Sequence, residues 1–242
     1  TPKPSSAASD VYKRQIYDES LSREQVFTAI QKAGEQIGFQ FVSYGIRVPL
    51  TVGRPQVLIL ENYPKAWIDR YVDRKYVDID PSVIHGARSQ APLLWKQTLD
   101  QAPEFWEDAA GHDLKHGWAQ STLDGTGAAG LLTLARGGAQ EITRKELEQN
   151  LARMRWLSSL AHLALQRRLR SELPKAHGIN LTAREVEVLK WSAAGKTCDV
   201  TASILNITSE TVRFHLRNSC RKLECFNKTQ AVAHAAMLGL LS

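Results

Sequence analysis

Residues 181–230 have the sequence LTAREVEVLKWSAAGKTCDVTASILNITSETVRFHLRNSCRKLECFNKTQ, and caps and stops divide this stretch into short helices. Thr182 and Glu185 stand three residues apart before an apolar repeat, which is the spacing of a capping box. Gly195 is a typical C-terminal stop for the helix that begins there, and a second helix is predicted over 197–205. Short helices joined by tight turns predict a helix-turn-helix module.

The third helix of this module is predicted to begin near Ser209, with Thr208 as its cap. Its side chains separate into an apolar stripe and a basic stripe, formed by Val212, Leu216 and Leu223 and by Arg213, Arg217 and Arg221. The apolar stripe would face the module and the basic stripe the solvent. A planar guanidinium grips guanine O6 and N7 together, or a phosphate, so the pattern favours a DNA recognition helix over a merely solvated face.

The charge of the chain is concentrated around this module. The chain has 31 Lys and Arg against 25 Asp and Glu. Residues 166–242 hold 12 basic and six acidic side chains, whereas residues 1–165 hold 19 of each sign. The whole positive excess therefore lies in the C-terminal third, as expected of a part that approaches phosphates.

The module resembles the DNA-binding domain of LuxR-type transcription factors. Glu185, Leu189 and Gly195 fall where that family has its most recurrent residues. Val200 replaces a residue that is usually acidic and Thr201 one that is usually a buried Ile or Val, differences that concern the packing of the second helix rather than contacts with DNA. The resemblance implies a DNA-binding surface formed by Lys196, Thr197, Thr211, Arg213, Arg217 and Arg221.

The part before the module is long enough for one further domain with its own core. Helices are predicted over 21–37, from Tyr63 to the Asp80-Pro81 pair, over 104–116 and over 143–169, and strands over 39–49, 56–60, 117–123 and 129–134. This mixture predicts a sheet with helices on its faces. The expected fold class is α+β, with an N-terminal α/β/α sandwich that binds a ligand and a C-terminal all-α helix-turn-helix domain.

The expected domain boundaries follow from composition. Residues 1–15 have no apolar period and are set aside as a disordered tail or a non-native segment. Residues 16–169 are expected to form the sensor domain. Residues 170–180 are charged and interrupted by proline and glycine, which is typical of a linker, and residues 181–242 would form the DNA-binding domain.

Four aromatic residues of the N-terminal domain, Tyr63, Trp67, Tyr71 and Trp95, surround one carboxylate that could be buried, Asp80. Trp67 and Tyr71 are four residues apart and would project from one side of a helix. Large apolar area with a few polar groups suits a pocket for a small amphiphile. The same residues also fit an ordinary core in which Asp80 caps a turn, and the spacing taken alone favours that simpler interpretation.

The pattern Tyr63-x-x-x-Trp67-x-x-x-Tyr71, followed by Asp80-Pro81, Trp95 and Gly117, resembles the pheromone-binding domain of the same LuxR-type family, whose ligands are N-acyl-homoserine lactones. This resemblance favours a ligand pocket over an ordinary core. It implies that Trp67 donates to the lactone carbonyl, Tyr63 donates to the amide carbonyl and Asp80 accepts from the amide N–H. It also implies that Trp95 packs against the lactone ring, Tyr71 lines the acyl tunnel and Thr133 places a hydroxyl near the amide. The expected function is ligand-dependent control of transcription in quorum sensing.

Other classes of function fit less well. A metal site would rest on His112-Asp113-x-x-His116, which lacks the adjacent glutamate and a third ligand, so we expect no metal, no cofactor other than the lactone and no catalytic residue. No predicted strand ends in a lone aspartate like the one that is phosphorylated in response regulators. A regulator that senses a different small molecule, or that acts without a ligand, stays open as the alternative.

The expected partners are those of a cytoplasmic regulator. Three cysteines without metal-ligand spacing indicate a reduced compartment, and no apolar run approaches the length of a membrane span. The helix predicted over 143–169 carries leucines at spacings of three to five and is a candidate dimerisation surface. A homodimer would bind a palindromic operator in double-stranded DNA, with half-sites about one turn apart. RNA polymerase is a further expected partner.

Overall fold

A computed structural model of the chain describes residue 18 and residues 20–48, 56–124, 128–172, 180–238 and 240–241. The described residues form two compact units, one with a sheet and the helices up to Glu172, the other with the helices from Ala183 onward. Residues 1–15, the first of the expected segments, lie outside the described residues.

The first unit consists of five strands and five α-helices. In chain order they are α1 (Arg23–Gln36), β1 (Phe41–Val48), β2 (Gln56–Glu61), α2 (Lys65–Asp73), α3 (Pro81–Gly86), β3 (Leu93–Leu94), α4 (Pro103–Gly111), β4 (His116–Leu123), β5 (Ala129–Arg136) and α5 (Arg144–Glu172). Short 3-10 helices cover Tyr76–Asp78, Trp95–Gln97 and Leu99–Gln101. The strands form one sheet in the order β2-β1-β5-β4-β3, and the pairs β1–β5, β5–β4 and β4–β3 are antiparallel.

Helices α1 and α5 cover one face of this sheet. Val42, Tyr44 and Ile46 alternate along β1 and are fully buried on that face. Gly34 of α1 allows close packing, because a Cβ there would lie 3.0 Å from Cγ2 of Val42. Tyr44 Oη and Nδ1 of His162, on α5, are 2.9 Å apart, which links the same face to the second helix.

The opposite face of the sheet is covered by the helices between β2 and β4. A Cβ on Gly86 of α3 would lie 3.0 Å from Cδ1 of Leu131 and 3.3 Å from Cβ of Ser121. Helices therefore pack on both faces of one antiparallel sheet, and the predicted α/β/α layers are confirmed.

Two helix boundaries predicted from the sequence are wrong. The helix that begins at Lys65 ends at Asp73, and the chain then passes through Lys75, whose φ is +54°, before α3 begins at Pro81. The Asp80-Pro81 pair therefore starts a helix rather than ending one, because proline is tolerated at the first helical position. Helix α4 ends at Gly111 rather than at residue 116, and His116 is the first residue of β4.

A largely buried ion pair anchors the start of α5 to the sheet. Arg136, the last residue of β5, makes two hydrogen bonds to Glu146, of 2.7 and 2.8 Å, and donates to the backbone oxygens of Gln140 and Glu141. A paired fork of this kind holds both partners in a fixed geometry. Helix α5 is therefore fixed on the sheet at its N-terminal end and continues to Glu172, so that residues 170–172 of the expected linker are helical.

The second unit consists of four helices, α6 (Ala183–Ala193), α7 (Cys198–Leu205), α8 (Ser209–Lys222) and α9 (Lys228–Met237). Thr182 and Glu185 form the predicted capping box, and Gly195 has a φ of +77° where the first helix was expected to stop. The three predicted helices are confirmed. The fourth, capped by Asn227, was not predicted from the sequence, and Ala231 and Ala235 on it complete the buried core of this unit.

Candidate ligand site and nucleic-acid interface

The sheet face that α2 and α3 cover carries an aromatic wall, which consists of Tyr63, Trp67, Tyr71, Tyr76 and Phe105. Trp67 of α2 is 3% exposed, and its ring centroid lies 5.6–5.7 Å from those of Tyr71, Tyr76 and Phe105. Tyr63, just before α2, contacts Phe41 of β1 edge to face at 6.2 Å. Edge-to-face and tilted aromatic contacts are the favoured arrangements, so this wall is a rigid surface that presents donor groups at its edges.

Asp80 lies where α2 and α3 meet, and both of its oxygens already accept a hydrogen bond. Tyr71 donates its hydroxyl hydrogen to Oδ2 over 3.0 Å, and the backbone N–H of Ser82 donates to Oδ1 over 2.7 Å. Burial nevertheless raises the pKa of the Asp80 carboxyl, because these hydrogen bonds offset only part of the desolvation cost. An ionised carboxylate has about four acceptor positions, so Asp80 can still accept from a ligand N–H.

The hydroxyl of Tyr63 is held in its neutral, donating form. Burial, together with the negative charges of Glu61 and Asp80, raises the pKa of the Tyr63 phenol well above its usual range. The pKa of Tyr71 is raised by burial and by Asp80, with a further contribution from Glu61. Glu61 was not selected from the sequence, since a charged residue at the end of a strand usually faces water.

Trp95 closes the other end of the aromatic wall. Its ring centroid is 4.9 Å from that of Trp106, and its Nε1–H is buried with no acceptor among the described residues. A Cβ on Gly117 would overlap with the Trp95 ring, which explains why glycine follows the start of β4. Trp95 and Gly117, which belong to the same predicted ligand-domain pattern, are therefore in direct contact.

The strands opposite the helices supply small and hydroxylic side chains. Thr133 of β5 is 7% exposed and pairs with Ser43 of β1 on one side and Ala119 of β4 on the other. Directly paired residues project from the same face, and this face is the one that Gly86 of α3 contacts through Ser121. All six ligand-site residues predicted from the sequence therefore lie around one face of the sheet, and Ser43 and Ser121 join them without having been predicted.

The second unit presents basic side chains along α8. The Arg213 side chain is 55% exposed and the Arg217 side chain 71%. Glu210 pairs with both, over 3.2 Å to Arg213 and 3.6 Å to Arg217, while Arg221 donates to Asn218. The opposite face of α8 buries Val212 and Leu216, so the apolar and basic stripes lie where the sequence predicted them.

The other residues that the sequence analysis assigned to DNA lie at the start of α7 and in the first turn of α8. Lys196 is exposed, and the hydroxyl of Thr197 accepts from the N–H of Val200 as the cap of α7. Thr211 is partly buried, with its hydroxyl 2.8 Å from that of Thr208. Thr201, which stands where LuxR-type regulators usually have a buried Ile or Val, is 1% exposed and packs in the core of this unit.

Comparison with known protein families separates the same two parts of the chain. Residues 22–165 match the family described as "Autoinducer binding domain", and residues 179–235 match the family "Bacterial regulatory proteins, luxR family". The chain belongs to the LuxR family of bacterial regulatory proteins. It is a transcriptional regulator that couples an autoinducer-binding domain to a DNA-binding helix-turn-helix.

Relatives and solved structures agree with this assignment. The transcriptional activator protein SolR of Ralstonia nicotianae is 42% identical over 90% of this chain and 92% of its own length. A crystal structure of Escherichia coli SdiA superposes with a TM-score of 0.83 at 31% identity, covering 96% of this chain and 99% of SdiA. SdiA in complex with octanoyl-rac-glycerol has a TM-score of 0.82 at 31% identity, covering 99% of this chain and 98% of SdiA. CepR2 of Burkholderia cenocepacia, titled an N-acylhomoserine lactone dependent LuxR family factor, has a TM-score of 0.60 at 31% identity over 67% of this chain and 98% of its own.

The described residues contain no group of three or more potential metal-ligating side chains. His112 instead uses Nδ1 in a 2.8 Å hydrogen bond with the backbone oxygen of Asp108. No helix in the described part of the chain is both long and apolar enough to cross a membrane.

Proposed function

We propose that this LuxR-family regulator binds an N-acyl-homoserine lactone between the aromatic wall and the Thr133 face of the sheet. The observation that carries the proposal is the meeting of Asp80, an acceptor, with Tyr63 and Trp67, two aromatic side chains that bear donors. An acyl-homoserine lactone has one N–H and two carbonyl groups in its head, and each needs a partner because an unmet buried polar group costs about 1–3 kcal/mol.

Each ligand-site residue has a role in this proposal. Trp67 donates to the lactone carbonyl, Tyr63 donates to the amide carbonyl and Asp80 accepts from the amide N–H. Trp95 packs against the lactone ring, and Thr133 places its hydroxyl near the amide. Tyr71 lines the acyl tunnel and also orients Asp80 through its 3.0 Å hydrogen bond.

The acyl chain is proposed to cover apolar side chains at the edge of the sheet. Val57 and Ile59 of β2 are 48% and 47% exposed. Ile59 lies on the Thr133 face, because its Cγ1 is 3.8 Å from the position that a Cβ on Gly45 would take. Removing apolar area from water stabilises a complex by about 25 cal/mol per Å². An acyl chain against these residues would therefore add to the affinity of the head group.

The C-terminal unit is proposed to bind DNA through Lys196, Thr197, Thr211, Arg213, Arg217 and Arg221. The exposed basic stripe on α8 supports this surface. Thr211 is partly buried and bonded to Thr208, so we assign it to positioning the helix end as well as to a phosphate contact.

We further propose that the regulator acts as a homodimer through α5. Leu157, Leu160 and Leu165, which belong to the leucine repeat of this helix, are at most 2% exposed within the first unit and do not form the proposed dimer surface. The exposed large apolar residues of the described part of that helix are Trp156 and Leu163, at 37% and 55%. They are seven residues apart and share a face, which is the spacing of a helix–helix seam.

A dimer would present two recognition helices to a palindromic operator and, at promoters, to RNA polymerase. We propose that the regulator acts in the cytoplasm, where that DNA is found, and that it has no catalytic activity of its own. The proposed domains are a sensor domain from residue 16 to the end of α5 at Glu172, a linker up to residue 180 and a DNA-binding domain over 181–242. SolR, named an activator, supports activation as the direction of control.

A ligand panel tests the central proposal. The melting temperature of the full chain is measured with acyl-homoserine lactones of increasing chain length and with octanoyl-rac-glycerol, the compound in the SdiA complex. A ligand at 100 times its Kd stabilises the fold by about 2.7 kcal/mol, which raises the melting temperature by several degrees. A rise with lactones that is clearly smaller in Asp80→Asn supports the proposal. A rise with the glycerol ester alone would replace it, since that ester has no amide N–H for Asp80.

A further inference from the structure

Glu61 is the last residue of β2, and its neighbour fixes the direction of its side chain. The Asn62 side chain accepts from the N–H of Val42 over 2.6 Å and donates to the backbone oxygen of Gln40 over 2.9 Å. The Asn62 N–H also donates to the backbone oxygen of Val42 over 3.1 Å. Three hydrogen bonds to one residue hold the end of β2 against β1, so the backbone at Glu61 is not free to rotate.

Strand alternation places Glu61 on the face of the proposed ligand site. Ile59 faces the Cβ direction of Gly45, and Gly45 pairs with Leu131 on the Thr133 face. Residues two apart in a strand project from the same face, so Glu61 follows Ile59. Tyr63, which contacts Phe41 of that face, stands two residues further along. The carboxylate thus lies at the edge of the site, between the apolar residues of β2 and the aromatic wall.

The Glu61 carboxyl is half-buried and has no hydrogen bond or ion pair with any residue that the structure describes. Burial raises its pKa, and its charge in turn raises the pKa values of Tyr63 and Tyr71. Burying a carboxylate without a hydrogen-bond donor costs free energy of folding. No residue that the structure describes supplies this donor.

The chemistry of the ligand head restricts where that donor could be. The lactone ring has acceptors only, and the one amide N–H is assigned to Asp80. Tyr63 is assigned to the amide carbonyl, whose carbon is C1 of the acyl chain. C3 lies two bonds beyond that carbon, and a substituent on C3 lies three bonds beyond it. A hydroxyl group on C3 is therefore a donor that the acyl chain can bring close to Tyr63 and Glu61.

We propose that Glu61 selects a lactone whose acyl chain carries a hydroxyl group at C3, by accepting a hydrogen bond from that hydroxyl. The inference rests on the proposed lactone site. A 3-oxo chain would direct a carbonyl oxygen at the carboxylate, so two acceptors would face each other. An unsubstituted chain would leave the carboxylate unpaired and bury it further.

Calorimetric titration of the full chain with three lactones of equal chain length tests this selection. The probes are the unsubstituted, the 3-hydroxy and the 3-oxo N-acyl-homoserine lactones. A hydrogen bond to a charged group corresponds to a factor of about 10–100 in affinity. We expect the 3-hydroxy lactone to bind at least tenfold more tightly than the other two.

The variant Glu61→Gln tests whether the preference for the 3-hydroxy lactone depends on the carboxylate. It keeps the shape of the side chain, removes the charge and adds an N–H₂ donor that suits a 3-oxo group, so we expect the preference to vanish or reverse. The unsubstituted lactone should bind the variant as well as, or better than, it binds the native chain. Because burial disfavours the charged form of Glu61, the unliganded variant should melt at the same or a higher temperature, which also verifies its folding. Asp78→Asn, an exposed carboxylate in the 3-10 helix after α2, is the matched control and should change none of the three affinities.

The possible failures are distinguishable. If the native chain binds all three lactones equally, or if Glu61→Gln retains the 3-hydroxy preference, the role of Glu61 is overturned while the lactone site stands. If the native chain prefers the 3-oxo lactone, the carboxyl is protonated and donating, and the proposed acceptor role is equally overturned. If no lactone binds, the proposed function itself fails, and this inference fails with it.

Discussion

Tyr71 donates its hydroxyl hydrogen to Oδ2 of Asp80 over 3.0 Å, linking the end of α2 to the start of α3. Asp80 at the same time caps α3 through the N–H of Ser82. The turn cap that the sequence offered for Asp80 is therefore present, and it leaves room for the proposed role as a ligand acceptor. The cap and the tyrosine hold the carboxylate in place, and a carboxylate that accepts two hydrogen bonds still has acceptor capacity for the proposed ligand.

Asp80→Asn separates these two roles. The amide oxygen can still accept from Ser82, so α3 should keep its cap and the unliganded chain its melting temperature. The charge-assisted bond to the ligand amide is lost, and we expect lactone affinity to fall about 10- to 100-fold by calorimetry. Asp69→Asn, which affects only an exposed pair with Lys65, is the control and should bind the lactone normally. Equal affinity of both variants would mean that Asp80 serves as a cap alone.

Gly117→Ala should destabilise the sensor domain and disturb the ligand site together. The added methyl group would overlap with the Trp95 ring, and overpacking of this kind costs about 1–3 kcal/mol. The displaced ring would no longer present its face to the lactone. The checks are the free energy of unfolding in urea and the lactone affinity of the folded fraction.

Gly111→Ala is the matched control for Gly117→Ala. Gly111 ends α4, and a Cβ there would have no neighbour within 4 Å among the described residues. Replacing a helical glycine by alanine stabilises a fold by about 0.4–1 kcal/mol. The two variants should therefore shift stability in opposite directions, and a loss of similar size in both would indicate that contact with Trp95 is not the cause.

Several local features were predictable because they depend on residues close in sequence. The capping box of Thr182 and Glu185 and the left-handed stop at Gly195 require only a few neighbouring residues, and both are present as predicted. The β-rich runs at 39–49 and 129–134 likewise predicted β1 and β5 to within two residues at each end.

Features that depend on tertiary contacts were missed. The break after Asp73 passes through Lys75 in the left-handed region, for which lysine gives no signal, and it is stabilised by packing of Tyr76 against Trp67 and Phe105. Glu61 was not selected, because its half-buried position depends on the fold and not on its neighbours in sequence. The pairing of Ser43 with Thr133, 90 positions apart, is set by sheet register alone.

Arg217→Ala should weaken operator binding without changing lactone affinity. The Arg217 side chain is 71% exposed on α8, and its loss should cost about 1–3 kcal/mol if it contacts a base, or lower the salt dependence of binding by about one charge if it contacts a phosphate. A mobility-shift titration at two salt concentrations distinguishes these cases. Arg144→Ala, an exposed arginine at the start of α5, is the control. Operator affinity equal to that of the control would contradict the register of the recognition helix.

Lowering the pH should destabilise the DNA-binding unit, because Glu185 becomes protonated. This carboxylate is 3% exposed and accepts from Nζ of Lys222 and from the N–H of Thr182, each over 2.7 Å. Desolvation opposes its charge, but these hydrogen bonds outweigh that cost and hold its pKa below the usual range. A carboxyl whose pKa is lower in the folded state stabilises the fold above its unfolded pKa of about 4.3. That stability should disappear as the pH falls from there through the folded pKa.

Glu185→Gln should remove this pH dependence and cost about 1–3 kcal/mol at neutral pH, because it weakens the bond to Lys222. Hydrogen exchange in the full chain, followed in peptides of α6 and α8, reports the opening of this unit separately from the sensor domain. Exchange in these peptides should be faster than in the native chain at pH 7, and the difference should shrink on acidification. Glu187→Gln, which affects an exposed pair with Arg184 on the same helix, should leave exchange unchanged. If both variants respond alike, the ion pair with Lys222 is not what stabilises the helix-turn-helix core.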